Sequence, residues 1–233
     1  MVFRESDMTK SNAKRESPGR IWPDWYPVLA TFRNSDNRKA TWQLINTIVP
    51  YCGIWYLMIR SIQLGYPYTL TLILALPAAA FMVRLFIIFH DCVHGSFFRQ
   101  QGANTFFGYF LGVLVFTPFE DWRFAHLRHH VTYANLDARG FGDIWTMTLT
   151  EYEKVSKKKR LQYRLYRNPL VMLGLGALFM FLLRNRLPTR QVKRKERMSV
   201  LFTNLLIIVA VLVADRFIGW RTYLLIQLPV LCY

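Results

Sequence analysis

Five histidines stand in this sequence, and all of them fall between residues 90 and 130: His90, His94, His126, His129 and His130. The rest of the 233-residue chain has none. His90 and His94 are spaced i,i+4, so one helix presents both on one face. His126 and His129 are spaced i,i+3 and also share a face, with His130 about 100° further round. Imidazole is a ligand for iron, zinc, copper and nickel. Five converging imidazoles exceed the three protein ligands of a single catalytic zinc, and no HExxH pattern is present. A histidine-rich set without a thiolate cluster fits two iron atoms better.

For the two groups to meet, the chain must return to one place after more than thirty residues. The apolar runs show how. Thr41–Met58 is uncharged and ends before Arg60; Leu64–Val83 is apolar and continues through Arg84 to Phe89. A bilayer crossing needs about 20 residues. These two runs, joined by the short uncharged connector Ser61–Pro67, predict a transmembrane helical hairpin whose second helix ends near His90. A third run, Asn104–Pro118, is too short to cross and contains Gly108 and Gly112. It reads as an interfacial or re-entrant helix that keeps the second histidine group on the same side as the first. Residues 169–183 are apolar with basic flanks on both sides, which predicts a dip rather than a crossing. Residues 198–214 predict a full span, closed by a turn at Asp215–Arg216, and the run Thr222–Tyr233 is expected to be a crossing cut off midway.

Composition agrees with a membrane protein. Apolar residues make up 53% of the chain and aromatics 16%, yet Lys and Arg number 30 against 14 Asp and Glu, a net charge of +16. An oily and strongly basic chain implies membrane spans with a positively charged cytoplasmic face. It excludes a disordered chain, an acidic protein and a disulfide scaffold. Cys52, Cys92 and Cys232 form no CxxC and no pairing framework, so a reduced context is expected. Residues 1–20 are polar and lack the apolar core of a signal peptide. The expected organisation is a polar cytoplasmic tail over 1–40 and a membrane domain over 41–233. The expected fold is an all-α integral membrane protein of transmembrane helical hairpins with a cytoplasmic histidine-rich di-metal site.

The segments HDCVHGS (His90–Ser96) and HLRHH (His126–His130) resemble the first two histidine boxes, HxxxH and HxxHH, of the integral-membrane fatty acid desaturases. TPFEDWRFAHLRHH (Thr117–His130) and LDARGFGDIWTMT (Leu136–Thr148) resemble the omega-6 (delta-12) acyl desaturase branch. The resemblance covers roughly Phe81–Pro188. It implies a four-span bundle that holds two iron ions with eight or so histidines, with His90, His94, His126, His129 and His130 as ligands here. It implies activation of O2 as co-substrate, removal of two hydrogens from an acyl lipid to leave a cis double bond, and electrons from a ferredoxin or cytochrome b5-type donor. A bacterial inner membrane, with the boxes facing the cytoplasm, is the expected location. Other diiron oxygenases, acting on acyl chains as hydroxylases or on carotenoids, share the boxes. A non-catalytic truncated membrane fragment is the reading from another class.

The chain departs from the family pattern in two places. Val93 stands where the first box usually has glycine, either crowding the site or facing lipid. A third box is also missing, because no histidine follows His130; the chain is therefore expected to be the N-terminal part of a desaturase, or a product broken before that box. Asp91 is placed to accept a hydrogen bond from a ligand imidazole, or simply to be solvated. Glu120, Asp121, Asp137 and Asp143 flank the second box as loop structure, unless one of them supports a ligand or meets a headgroup. Arg84, inside the second span, is either functional or reaches the interface along its side chain. Trp122 and Trp145 are expected to anchor at the interface. The basic stretch Lys154–Arg167 suits anionic lipid or an acidic electron donor; its tie to membrane spans argues against nucleic acid.

Overall fold

The computed structural model describes residues 25, 28–29, 34–140, 142–190 and 192–233. Most of the expected polar tail, 1–40, lies outside them. The unit Asp36–Tyr233 is helical, with no strand among the described residues.

Helix α1 (Asn37–Gln63) starts where the Asp36 carboxylate accepts the Arg38 backbone N–H at 2.8 Å, an N-cap that satisfies an otherwise unpaired donor. The chain turns over Leu64–Pro67 into α2 (Tyr68–Val93), and the two helices pack along each other as a hairpin. Helix α2 is long and apolar enough to cross a membrane. Helix α1 has the length, 27 residues, but not the apolarity: Gln43, Asn46 and Thr47 interrupt its aliphatic run. Asn46 has a partner inside the hairpin. Its side-chain oxygen accepts Arg84 Nη2 at 2.7 Å, so the charge within α2 is held by the neighbouring helix.

After the first histidine pair the chain reverses into α3 (Gln101–Leu114). Asn104, fully buried, makes the reversal: it accepts Phe98 N–H and donates to Phe98 C=O, both at 2.8 Å. Helix α3 then meets α4 (Phe119–Thr132) at a 102° bend. Two short helices follow, α5 (Leu149–Lys154) and α6 (Lys157–Tyr166), and then the irregular helix α7 (Val171–Arg186), bent 71° from α6 and built partly of π-turns. Helix α8 (Arg194–Ile218) is the second helix long and apolar enough to cross on its own.

The turn expected at Asp215–Arg216 comes later. Helix α8 runs through both residues and stops at Gly219, whose φ of +79° suits glycine alone. Asp215 stays helical and uses its side chain to accept Trp220 N–H at 2.7 Å, which starts α9 (Trp220–Cys232).

The core is where α2 meets its neighbours. Phe89 and Leu85 of α2, Met58 of α1, Leu111 of α3 and Ile226 of α9 are completely buried. Val93 is buried too, so it faces neither lipid nor solvent. Gly112 fixes how close α3 comes to the bend: a Cβ there would sit 2.5 Å from the Thr117 carbonyl oxygen and 3.2 Å from the Phe89 ring. Backbone cannot step aside as a flexible side chain can. We expect Gly112→Ala to destabilise the protein by about 1–3 kcal/mol. Gly102→Ala, where the added methyl meets open space, should be neutral or stabilising by up to about 1 kcal/mol. Thermal unfolding of both variants in detergent checks the contrast.

Candidate metal centre

Helix α2 carries His90 in its last turn and His94 just past its end; α4 carries His126, His129 and His130 in its second half. The bend before α4 lays it over the end of α2. Four imidazoles then converge: His90, His94, His126 and His130 each offer a ligand nitrogen, and these atoms all lie within 4.8 Å of one another. His126 is the hub. Its Nε2 is 3.0 Å from His94 Nε2 and 3.0 Å from His130 Nε2. On α4 the inward pair is thus His126 and His130, at i,i+4. His129, placed with His126 by the i,i+3 reading, lies outside the four, with its ring 6.4 Å from that of His126 and 6.0 Å from that of His130.

Carboxylates hold two of the rings. Asp91 Oδ1 is 3.2 Å from His90 Nδ1. Asp143 Oδ1 is 2.7 Å from His129 Nδ1, an ion-pair distance without hydrogen-bond alignment. Both contacts involve the same ring position and leave Nε2 to face elsewhere, as carboxylate–histidine pairs do around metals. Glu120 and Asp121 do different work. Both are buried at the start of α4, and they tie it to the first turn of α8 and to the segment before it: Glu120 meets Lys195 Nζ at 3.0 Å, and Asp121 accepts both the N–H and the hydroxyl of Thr189, at 2.8 and 2.9 Å.

Trp122 belongs to the histidine cluster. It sits i,i+4 from His126 and stacks on that imidazole, ring centroids 4.2 Å apart and 17° from parallel. Phe86 and Phe89 pack against the indole at 5.5 and 5.2 Å, so one wall of the cluster is aromatic. The i,i+4 spacing was the signal for this contact in the sequence.

The electrostatics suit a cation. Helix α4, with Glu120, Asp121, Arg123 and Arg128, is too polar for hydrocarbon and lies outside the crossing helices. Burial, and after it the neighbouring imidazoles His90, His130, His94 and His129, push His126 down to about 4. His94 is lowered as well, first by burial. Neutral imidazoles have lone pairs to give. Nitrogens 3.0 Å apart can share one ion at the usual metal–imidazole distance of about 2.0–2.1 Å. The donor set therefore fits a transition metal, and an all-nitrogen set without thiolates fits iron among others.

Comparison with known proteins places the chain. The fatty acid desaturase family model matches residues 66–233.

The chain belongs to the fatty acid desaturase family.

A fatty acid desaturase of Bacillus subtilis is 42% identical over 202 residues, covering 87% of this chain and 57% of that protein. An sn-1 oleoyl-lipid 12-desaturase of Arthrospira platensis is 27% identical over 133 residues, 57% of this chain and 36% of its own length. A chloroplastic sn-2 acyl-lipid omega-3 desaturase (ferredoxin) of Arabidopsis thaliana is 24% identical over 137 residues, 58% of this chain and 31% of that one. The chain thus spans little more than half of the Bacillus relative and about a third of the other two. No solved structure matches it. As a member of this family with membrane-capable helices, it is an integral membrane protein.

The loop that brings Asp143 to the desaturase-type second box is itself pinned. Arg139 binds Glu151 through two bonds, at 2.5 and 3.1 Å, and donates to Thr146 C=O. Glu151 also closes the capping box with Thr148 that starts α5. The Arg139 guanidinium first, then the Thr148 N–H, hold the Glu151 carboxyl down to about 2. A depressed carboxyl stabilises above its unfolded value, about 4.5, and that contribution is lost as pH falls towards 2. We expect pepsin to cut within 139–151 increasingly fast as pH falls through this window. Arg139→Ala should make cutting fast throughout it and remove most of that pH dependence.

Proposed function

We propose that this chain is a desaturase that introduces a cis double bond into the acyl chain of a lipid. Its proposed reactants are O2 and a ferredoxin or cytochrome b5-type electron donor. The observation that carries this reading is the convergence of four imidazole nitrogens within 4.8 Å in a chain of the fatty acid desaturase family. His90, His94, His126 and His130 would hold one iron ion, and His129, turned to the far side of α4, would serve a second. The relatives named as oleoyl-lipid and acyl-lipid desaturases support a lipid-linked substrate, and the name of the Arabidopsis relative supports ferredoxin as donor.

Bound iron would supply the oxygen-activating redox chemistry that an unactivated methylene pair requires. The count closes: two protons and two electrons leave the acyl chain, two electrons come from the donor and two protons from solvent, and O2 leaves as two waters. The chain's own residues orient and exclude. Asp91 and Asp143 hold Nδ1 of His90 and His129, which fixes Nε2 as the free nitrogen of each ring. Trp122 locks the plane of His126. Phe86 and Phe89 keep water from the wall of the cluster, where an apolar substrate would otherwise compete with solvent. Residues 1–40 would form the cytoplasmic tail and 41–233 the desaturase-like membrane domain. The basic balance of the chain supports a cytoplasmic orientation for the histidines, in a bacterial inner membrane.

Membranes carrying this chain joined to a third histidine box of the family pattern, supplied with acyl lipid, O2 and reduced ferredoxin, should yield a product lighter by two hydrogens. His126→Ala should abolish it and strip the bound iron. A chain that binds no iron and leaves lipid unsaturation unchanged would overturn the reading. Asp143→Ala should weaken iron binding by about 10–100-fold, with Asp143→Asn in between, because the amide keeps the size and the oxygen of the carboxyl but not its charge. Iron titration of the solubilised protein separates the three.

A further inference from the structure

Helix α6 (KKKRLQYRLY) shows two faces with different company. One is packed. Tyr163 and Tyr166 turn their hydroxyls towards the backbone N–H groups of Met147 and Trp145, at 3.3 and 3.4 Å, and the Trp145 indole packs against both phenol rings. Lys159 lies over that indole, 5.0 Å from its centroid. The opposite face is open. Leu161 and Leu165, at i,i+4, are 58% and 53% exposed. At 3.6 residues per turn, Lys157 and Arg164 flank this leucine stripe on one side and Lys158 on the other.

Exposed leucines bordered by cations are the pattern of a helix lying in a membrane interface, apolar stripe down and ammonium groups at headgroup level. Two further observations point the same way. Helix α6 leads by a 71° bend into α7, and the junction is oily: Leu170, just before α7, is 84% and Leu173, in its first turn, 69% exposed. From Lys154 to Arg197 the chain has 14 Lys and Arg against one acid, Glu196. An acidic protein partner would be served by the cations alone and would leave the leucines unexplained.

We propose that the open face of α6 docks on the headgroup layer of an anionic leaflet, with Leu161 and Leu165 inserted and Lys157 and Lys158 paired with lipid phosphates. Its packed face then carries the loop that brings Asp143 to His129. Membrane charge thereby bears on the second histidine box through one helix and one loop. This goes beyond the catalytic proposal and stands whether or not the chain desaturates lipid.

Hydrogen–deuterium exchange of the full chain in lipid nanodiscs tests it. In phosphatidylglycerol discs, amides of 157–167 should exchange roughly tenfold more slowly than in phosphatidylcholine discs, since basic residues near an anionic surface are drawn to it. About 1 M salt, with a Debye length of about 3 Å, should remove most of the difference. The double variant K157Q/K158Q should lose the protection in phosphatidylglycerol while exchange in α2 is unchanged. L161S should weaken it with every charge in place. Equal exchange in both discs, or a difference insensitive to salt, overturns the proposal. So does protection that appears only when reduced ferredoxin is added, which would assign the surface to a protein donor. The salt series on the unaltered chain decides the matter even if a variant folds poorly.

Discussion

A 102° bend between α3 and α4 decides whether histidines 32 residues apart in sequence can meet. Were α4 to continue along α3, the second histidine group would point away from the end of α2. The turn needs Phe116 at φ +54°, a left-handed conformation costly for a bulky residue, and it buries backbone carbonyls. The chain compensates from far away in sequence. The Phe116 carbonyl accepts from Asn185, at 3.2 Å, and from the Arg186 guanidinium, and Asn204 holds Arg186 in turn at 2.9 Å. Asp121 and Glu120 fasten the first turn of α4 to Thr189 and Lys195. A typical hydrogen bond contributes about 0.5–1.5 kcal/mol net, but a buried group left unpaired costs about 1–3. The network is thus less a source of stability than a penalty on every other angle.

Once the angle is set, the chemistry follows from crowding. Four imidazolium ions within 4.8 Å would repel one another, so the folded cluster does not carry all four charges. Burial and the neighbouring rings push His126 in that direction, and the stacked Trp122 helps exclude water. With His126 and His94 lowered, their inward nitrogens have lone pairs that an ion can take up. The same packing that makes the site awkward for protons makes it suitable for a transition metal.

Much of this was legible in the sequence, and the reason is period. The hairpin of α1 and α2, the short α3 and the span of α8 follow from apolar runs and their lengths. The i,i+4 relation of His90 and His94 is also local. What sequence spacing left open was the rotation of α4. Spacings of i,i+3 and i,i+4 both share a helix face, and nothing local says whether His129 or His130 joins His126. Tertiary packing chose: Phe119 and Trp122 turn into the aromatic wall around Phe89, which rotates His126 and His130 inward and leaves His129 to Asp143. The clamp on the bend was invisible for a different reason, since Asp121 and Thr189 are 68 residues apart and neither belongs to a motif.

The length of this clamp has a consequence for how the centre forms. Asn185, Arg186, Thr189 and Lys195 all come after the second histidine box, and they are the residues that fix its helix. Loop closure over some seventy residues costs only a little more than over thirty-five, about 0.6 kcal/mol for a doubling, but the clamp cannot act until α7 and the start of α8 are in place. The first box needs no such help: α2 and the Asn104 bridge shape its surroundings within about fifteen residues. The two halves of the cluster therefore have unequal autonomy. His90 and His94 are positioned by local structure, whereas His126 and His130 wait on packing from the C-terminal side. Disturbing the strap Arg184–Arg190 should spread the cluster at the α4 side first, although none of its residues touches an imidazole.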